Sequence, residues 1–195
     1  MKNVLKIAFI GIVGILLLTY LTAEKPETVV TEKSNKSGLS YDNLPKDFEL
    51  VGTDKRVLKE NLFKKGSKSL IIVGNHDSLA VVKELPKYYD MKIPYVMVAN
   101  ISSAPWFVKK MFIPSKLEEL NEGTKTPMIY DFDGHMVNAL NVTENAKTKF
   151  AAFLLNEDGT IKNIYKGEVK EGALDGSMNE DEKRAALKPI IDLIK

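Results

Sequence analysis

The sequence predicts an α/β domain: a central mixed β-sheet flanked by helices and entered through an N-terminal β-hairpin. Three observations predict it. Two short, apolar, β-branched runs, Leu70–Val73 and Tyr95–Ala99, suit strands covered on both faces. Each run is followed by apolar residues at helical spacing. The chain then closes on a strand, an Asp-Gly turn, a second strand and a terminal amphipathic helix.

The elements follow in order. Phe48–Val51 and Arg56–Leu58 flank Gly52-Thr53-Asp54-Lys55 and read as a hairpin. Strand Leu70–Val73 leads into a helix capped by Asp77 or Ser78, with Leu79, Val82 and Leu85 on one face. Pro86 is expected to bend or shorten that helix. Ala104–Phe112 reads as a helix with Pro105 in its first turn; Pro114 is expected to stop it, and Lys116–Leu120 to form a second short helix. Met128–Tyr130 is a strand ending in the turn Asp131-Phe132-Asp133-Gly134. Ala151–Leu155 and Ile161–Tyr165 pair around Glu157-Asp158-Gly159-Thr160. Gly167–Met178 is a loop, and Asn179 caps the last helix, where Glu180, Asp181 and Glu182 complement the positive end. Leu187, Ile190, Ile191 and Ile194 form its apolar face, and Pro189 is expected to kink it.

The length of 195 residues is enough for a leader plus one domain with a sizeable core. Met1–Lys6 is basic, Ile7–Leu21 is apolar and uncharged, and Thr22-Ala23 precedes a polar stretch. That is the three-part shape of an export signal cleaved after Ala23. The alternative is an uncleaved membrane anchor, because residues 7–23 nearly reach the ~20 needed to span a bilayer. Either way the remainder is expected outside the cytoplasmic membrane, in the periplasm. Membrane association is expected only through this segment, if it is retained. Residues 24–43 are polar and read as a linker, and 44–195 as the domain.

The two leader lysines account for the formal net charge of +2, so the rest is formally neutral and nucleic acid is not an expected partner. The chain has no cysteine, which removes disulfides, thiolate metal sites and cysteine nucleophiles.

Several segments carry a family resemblance. FELVGTDKRVLKENL, KSLIIVG and KELPKY, over residues 48–88, resemble the opening of thioredoxin-like proteins of the peroxiredoxin and TlpA type. TPMIYDFDGHMVNALNV and FAAFLLNEDGTIKNIYKGEV, over residues 126–169, resemble their second half. With WFVKKMFIPSKLEELN (106–121) and the acidic-capped last helix, the chain is similar to the YtfJ family of exported thioredoxin-like proteins. The resemblance implies a thioredoxin-like fold and a periplasmic location. It also locates departures. The two cysteine positions of a TlpA-like motif fall on Ser78 and Val81, and neither side chain can undergo thiol exchange. Phe150 stands where such enzymes place a cis-proline or an arginine.

The candidate ligand face is therefore the degenerate active site: Asn75, His76, Asp77, Ser78, Val81 and Phe150. It lies at the carboxyl end of a central strand, where open α/β sheets bind ligands, and the helix start is expected to offer free backbone donors. A serine nucleophile needs a base held by a third group, and three consecutive side chains rarely converge so. The plainer reading is a capped turn with a solvent-facing histidine. Asp131, Asp133 and His135 have oxygen and nitrogen ligands at alternate positions, but Asp-x-Asp-Gly is also an ordinary turn. No metal or cofactor is expected. Trp106 and Phe107 are the candidate partner surface, set against the plainer expectation that they pack on the sheet. The expected function is an exported, non-catalytic thioredoxin-like protein, binding an envelope protein, peptide or small ligand or maintaining the envelope. Two alternatives are a cysteine-less hydrolase or peroxide-handling variant using Ser78 and His76, and a membrane-tethered structural partner of an envelope complex.

Overall fold

The computed structural model describes residues 38–53 and 56–195. The leader, with its signal and anchor readings, and linker residues 24–37 lie outside the described residues. A small hairpin pairs β1 (Asp47–Glu49) antiparallel with β2 (Arg56–Leu58). The main sheet has five strands in the order β5 (Met128–Asp131), β4 (Tyr95–Asn100), β3 (Ser69–Gly74), β6 (Lys149–Leu155), β7 (Ile161–Glu168). β3, β4 and β5 are mutually parallel, whereas β6 is antiparallel to β3 and β7 to β6. A parallel β-α-β unit, an antiparallel ribbon and a closing helix make a thioredoxin-like fold, as expected.

The strand period of two divides the core between the sheet's faces. Leu70, Ile72, Met97, Phe150 and Ala152 face one way, toward α2 (His76–Val82), α5 (Ile113–Asn121) and α7 (Glu180–Ile194). Ile71, Val73, Val98, Ala151 and Phe153 face the other, toward Leu44, Phe48, α1 (Lys59–Leu62) with the adjoining Phe63, and α6 (His135–Ala139). Every residue of β3 and β4 is buried, which is why Leu70–Val73 and Tyr95–Ala99 run apolar without alternation.

Several boundaries differ from expectation. The hairpin is shorter than expected: Leu50 bridges to Ile129, and the Val51 amide donates to the Met128 carbonyl at 2.8 Å, so the chain after β1 covers the β5 edge. Residues 39–43, assigned to the linker, lie on the domain. The Tyr41 amide donates to Gly159, and the Tyr41 ring lies 4.4 Å from the Lys59 ammonium. The helix after β3 ends at Val82, and Pro86 enters the first turn of a separate α3 (Leu85–Tyr88). Likewise Pro114 starts α5 rather than stopping the preceding α4 (Trp106–Met111), whose N-cap is Pro105. At a first helical turn proline loses no hydrogen bond, so it begins helices as readily as it ends them. α7 runs on through Pro189 to Ile194. The segment after Asp131 holds a helix the sequence did not announce, α6. No helix among the described residues is long and apolar enough to cross a membrane.

The Asn179 cap forms as expected. Its side chain accepts from the Glu182 amide at 2.9 Å, and the Glu182 carboxylate accepts from the Asn179 amide at 2.9 Å. Asn179→Ala is expected to cost about 1 kcal/mol, read as a lower urea midpoint at unchanged slope.

Candidate functional site

β3 delivers the chain to the sheet's end at Gly74, where Asn75 turns it into α2. Asn75, rather than Asp77 or Ser78, is the N-cap. Its side-chain oxygen accepts from the His76 amide at 2.9 Å. The Ser78 hydroxyl returns the cap, accepting from the Asn75 amide at 2.9 Å and donating to the Asn75 carbonyl at 2.7 Å. The Ser78 amide donates to the Lys147 carbonyl at 2.9 Å. The expectation of free donors at this helix start is thereby corrected for His76 and Ser78, whose amides are taken by the protein itself.

The predicted site residues play separate parts. Ser78 and Val81 are fully buried. Asp77 is also buried, and its two oxygens accept the amides of Gly172 and Leu174, each at 3.1 Å. Burial alone would push the Asp77 carboxyl up. The two amides and neighbouring His76 outweigh burial and hold it below the usual carboxylate range. Phe150 is buried against Tyr165, ring centroids 5.9 Å apart. Of the six, His76 alone presents an exposed side chain, with Nδ1 3.5 Å from the Asp77 carboxylate. Its backbone sits at φ +22°, sparsely populated for a residue with a Cβ. The Ser78–His76 pairing of the hydrolase alternative is absent: the serine is enclosed and bonded to Asn75, and the imidazole turns to Asp77.

What the structure does assemble beside Asn75 is a cleft of about 350 Å³. It lies between the loop 141–146 and the β6–β7 ribbon, and its polar wall includes Asn75, Asn100, Glu144, Lys149 and Asn163. Asparagines hold the loop in place. The Asn75 amide group donates to the Asn145 side chain at 3.1 Å, and that of Asn100 to the Glu144 carbonyl at 3.2 Å. Lys149 donates to Glu144 at 3.0 Å. The hydrogen bond from Lys149 lowers the Glu144 pKa, and the same contact raises that of Lys149, so both are charged at neutral pH. The cleft thus offers a carboxylate, an ammonium and several amides around an apolar floor of Val73 and Ala151. That set suits a polar ligand bound without covalent chemistry. Sequence reading reaches Asn75 but not Asn100, Glu144, Lys149 or Asn163, because the lining comes from four separated segments. The one local signal was the polar run NVTENAKTK ahead of β6.

Asp131 proves structural. Its carboxylate accepts the amides of Met136 and Val137 at 3.0 and 2.9 Å and so caps α6. Burial nevertheless pushes its pKa up. No cluster of three metal-ligating side chains occurs among the described residues. On α4, Trp106 is 48% exposed and Phe107 is half-buried.

No family model and no curated protein matches the sequence. Solved structures do share its outline. A secreted Mycobacterium tuberculosis disulfide oxidoreductase homologous to E. coli DsbE is 16% identical with a TM-score of 0.42, over 75% of this chain and 98% of that one. Xanthomonas campestris bacterioferritin comigratory protein is 16% identical with a TM-score of 0.44, over 80% and 97%. An uncharacterized thioredoxin-like protein of Porphyromonas gingivalis is 17% identical with a TM-score of 0.44, over 80% and 94%. The likeness is one of fold, and the fold assignment itself stands on strand order and direction.

Proposed function

We propose that this protein is an exported, non-catalytic member of the thioredoxin-like superfamily, kin to the YtfJ family, that binds a short peptide or small polar ligand. The carrying observation is the cleft beside Asn75, at the end of the sheet where such folds do their work. The scaffold keeps its ligand edge while the chain holds no cysteine for thiol exchange. Asn75, Asn100, Glu144 and Lys149 in the wall supply the recognition chemistry. A zwitterionic group matches the Glu144–Lys149 pair, and backbone amides match the asparagines.

Titration of short unstructured peptides and polar fragments, followed by amide chemical shifts, tests this. Ligands are expected to shift Asn75, Asn100 and Lys149. Lys149→Ala is expected to weaken them about tenfold, or ~1.4 kcal/mol. Ligands that bind Lys149→Ala and Glu144→Gln with undiminished affinity would place recognition elsewhere and sink the assignment.

A further inference from the structure

α4 is built inside out. Its charged Lys109 is 5% exposed, with Nζ donating to the Phe132 carbonyl at 2.9 Å. Two of its apolar residues point outward instead, while Phe107 and Val108 are half-buried. Trp106 is 48% exposed and Met111 70%, and the adjoining Phe112 is 56% exposed. A soluble helix places these groups the other way round. Lys110 lies with its ammonium 5.0 Å from the Trp106 ring, so the patch carries positive charge at its rim. From Asn100 to Leu117 the chain has three lysines and no acidic residue. Lys116, the third, is paired with Glu119 at 3.0 Å, which leaves Lys110 as the charge beside the aromatics.

We infer that Trp106, Met111 and Phe112, with Lys110, form a docking surface for an anionic lipid bilayer. Tryptophan with lysine beside exposed apolar side chains fits the interface, where rings sit at headgroup depth and ammonium groups meet lipid phosphates. Three side chains bind a bilayer weakly by themselves, so the docking rests on the reading of Ile7–Leu21 as a retained anchor. The 16 residues between Leu21 and Gly38 reach at most about 55 Å, which keeps the domain beside the membrane and raises the local concentration of lipid at the patch. Docking would turn one fixed face to the bilayer and present the cleft in a defined direction.

Trp106 is the chain's single tryptophan, so its fluorescence reports this surface alone. The full chain is reconstituted into vesicles of phosphatidylcholine and phosphatidylglycerol, with and without bromine on the phosphatidylcholine acyl chains. Contact is expected to remove about half of the Trp106 emission in brominated vesicles. The exposed substitution Met111→Glu is expected to restore most of it, with the fold unchanged by circular dichroism. A chain that floats with the vesicles but shows equal emission in both refutes the docking surface while sparing the anchor, and covers the case of a second copy or another protein on the patch. A chain that does not float refutes both. Neither outcome touches the cleft, whose ligands are scored separately.

Discussion

Asp77→Ala is expected to lower the unfolding free energy by about 2–4 kcal/mol, a large fraction of a domain's stability. The carboxylate is buried at the start of α2, and it ties down a distant loop by accepting the amides of Gly172 and Leu174. Truncation leaves both amides without their acceptor in a site too enclosed for full solvation. Asp77→Asn keeps one acceptor oxygen and is expected to cost less. The pH dependence follows from the sign of the shift. The folded-state pKa lies below the ordinary aspartate value of 3.8, so the folded state favours the ionised form. This contribution is complete above that value and is lost as pH falls through it toward the lower folded value. Urea unfolding over an acid series checks both parts. The wild type is expected to lose stability more steeply than Asp77→Asn across that window, and equal slopes would show that the carboxylate's charge contributes nothing.

Gly167→Ala is expected to destabilise by about 1–3 kcal/mol through overpacking alone. A methyl group there would meet three atoms of the Phe150 ring, all closer than 3.0 Å. Gly167 does not lie in the left-handed region, so backbone strain adds nothing. The glycine, paired with Phe150 across the ribbon, leaves room for the ring over β7 beside Tyr165. Phe150→Ala is expected to cost about 3–5 kcal/mol by cavity formation. The test is a double-mutant cycle on thermal or urea unfolding. In a Phe150→Leu background, Gly167→Ala should be nearly neutral, and a cost that stays unchanged would place the clash elsewhere. Phe150 therefore has a packing role at a position where the family resemblance expects a catalytic neighbour.

Legibility in the sequence followed locality. The buried strands were plain because Leu70–Val73 and Tyr95–Ala99 are apolar throughout, and a strand covered on both faces has no other composition. The Asn179 cap was plain because both partners lie within three residues. The helix after β3 is shortened ahead of Pro86, as expected, whereas Pro114 starts a helix where a stop is expected, because a proline is compatible with both. α6 was missed because its cap, Asp131, reaches five and six residues ahead, beyond the usual capping distance.

The candidate site divides along the same line. By itself the sequence determined that a strand-to-helix turn stands at Gly74–Ser78, that the fold is thioredoxin-like, and that no thiol works there. The turn and the missing thiol follow from residue identity and short-range pattern, and the thioredoxin-like fold from the resemblance carried by residues 48–169. Only the tertiary structure decided what the turn's residues do. Asp77 bonds a loop 95 and 97 residues away, while Ser78 closes on Asn75. The cleft wall is assembled from residues as far apart as Asn75 and Asn163. The outward face of α4 belongs to the same class: at i and i+3 Trp106 and Lys109 lie on one side of the helix by spacing alone, and only packing decided that the core receives Lys109 and leaves Trp106 exposed. The reason is physical: burial and partnership are properties of the packed chain, set by long-range contacts that local pattern does not encode.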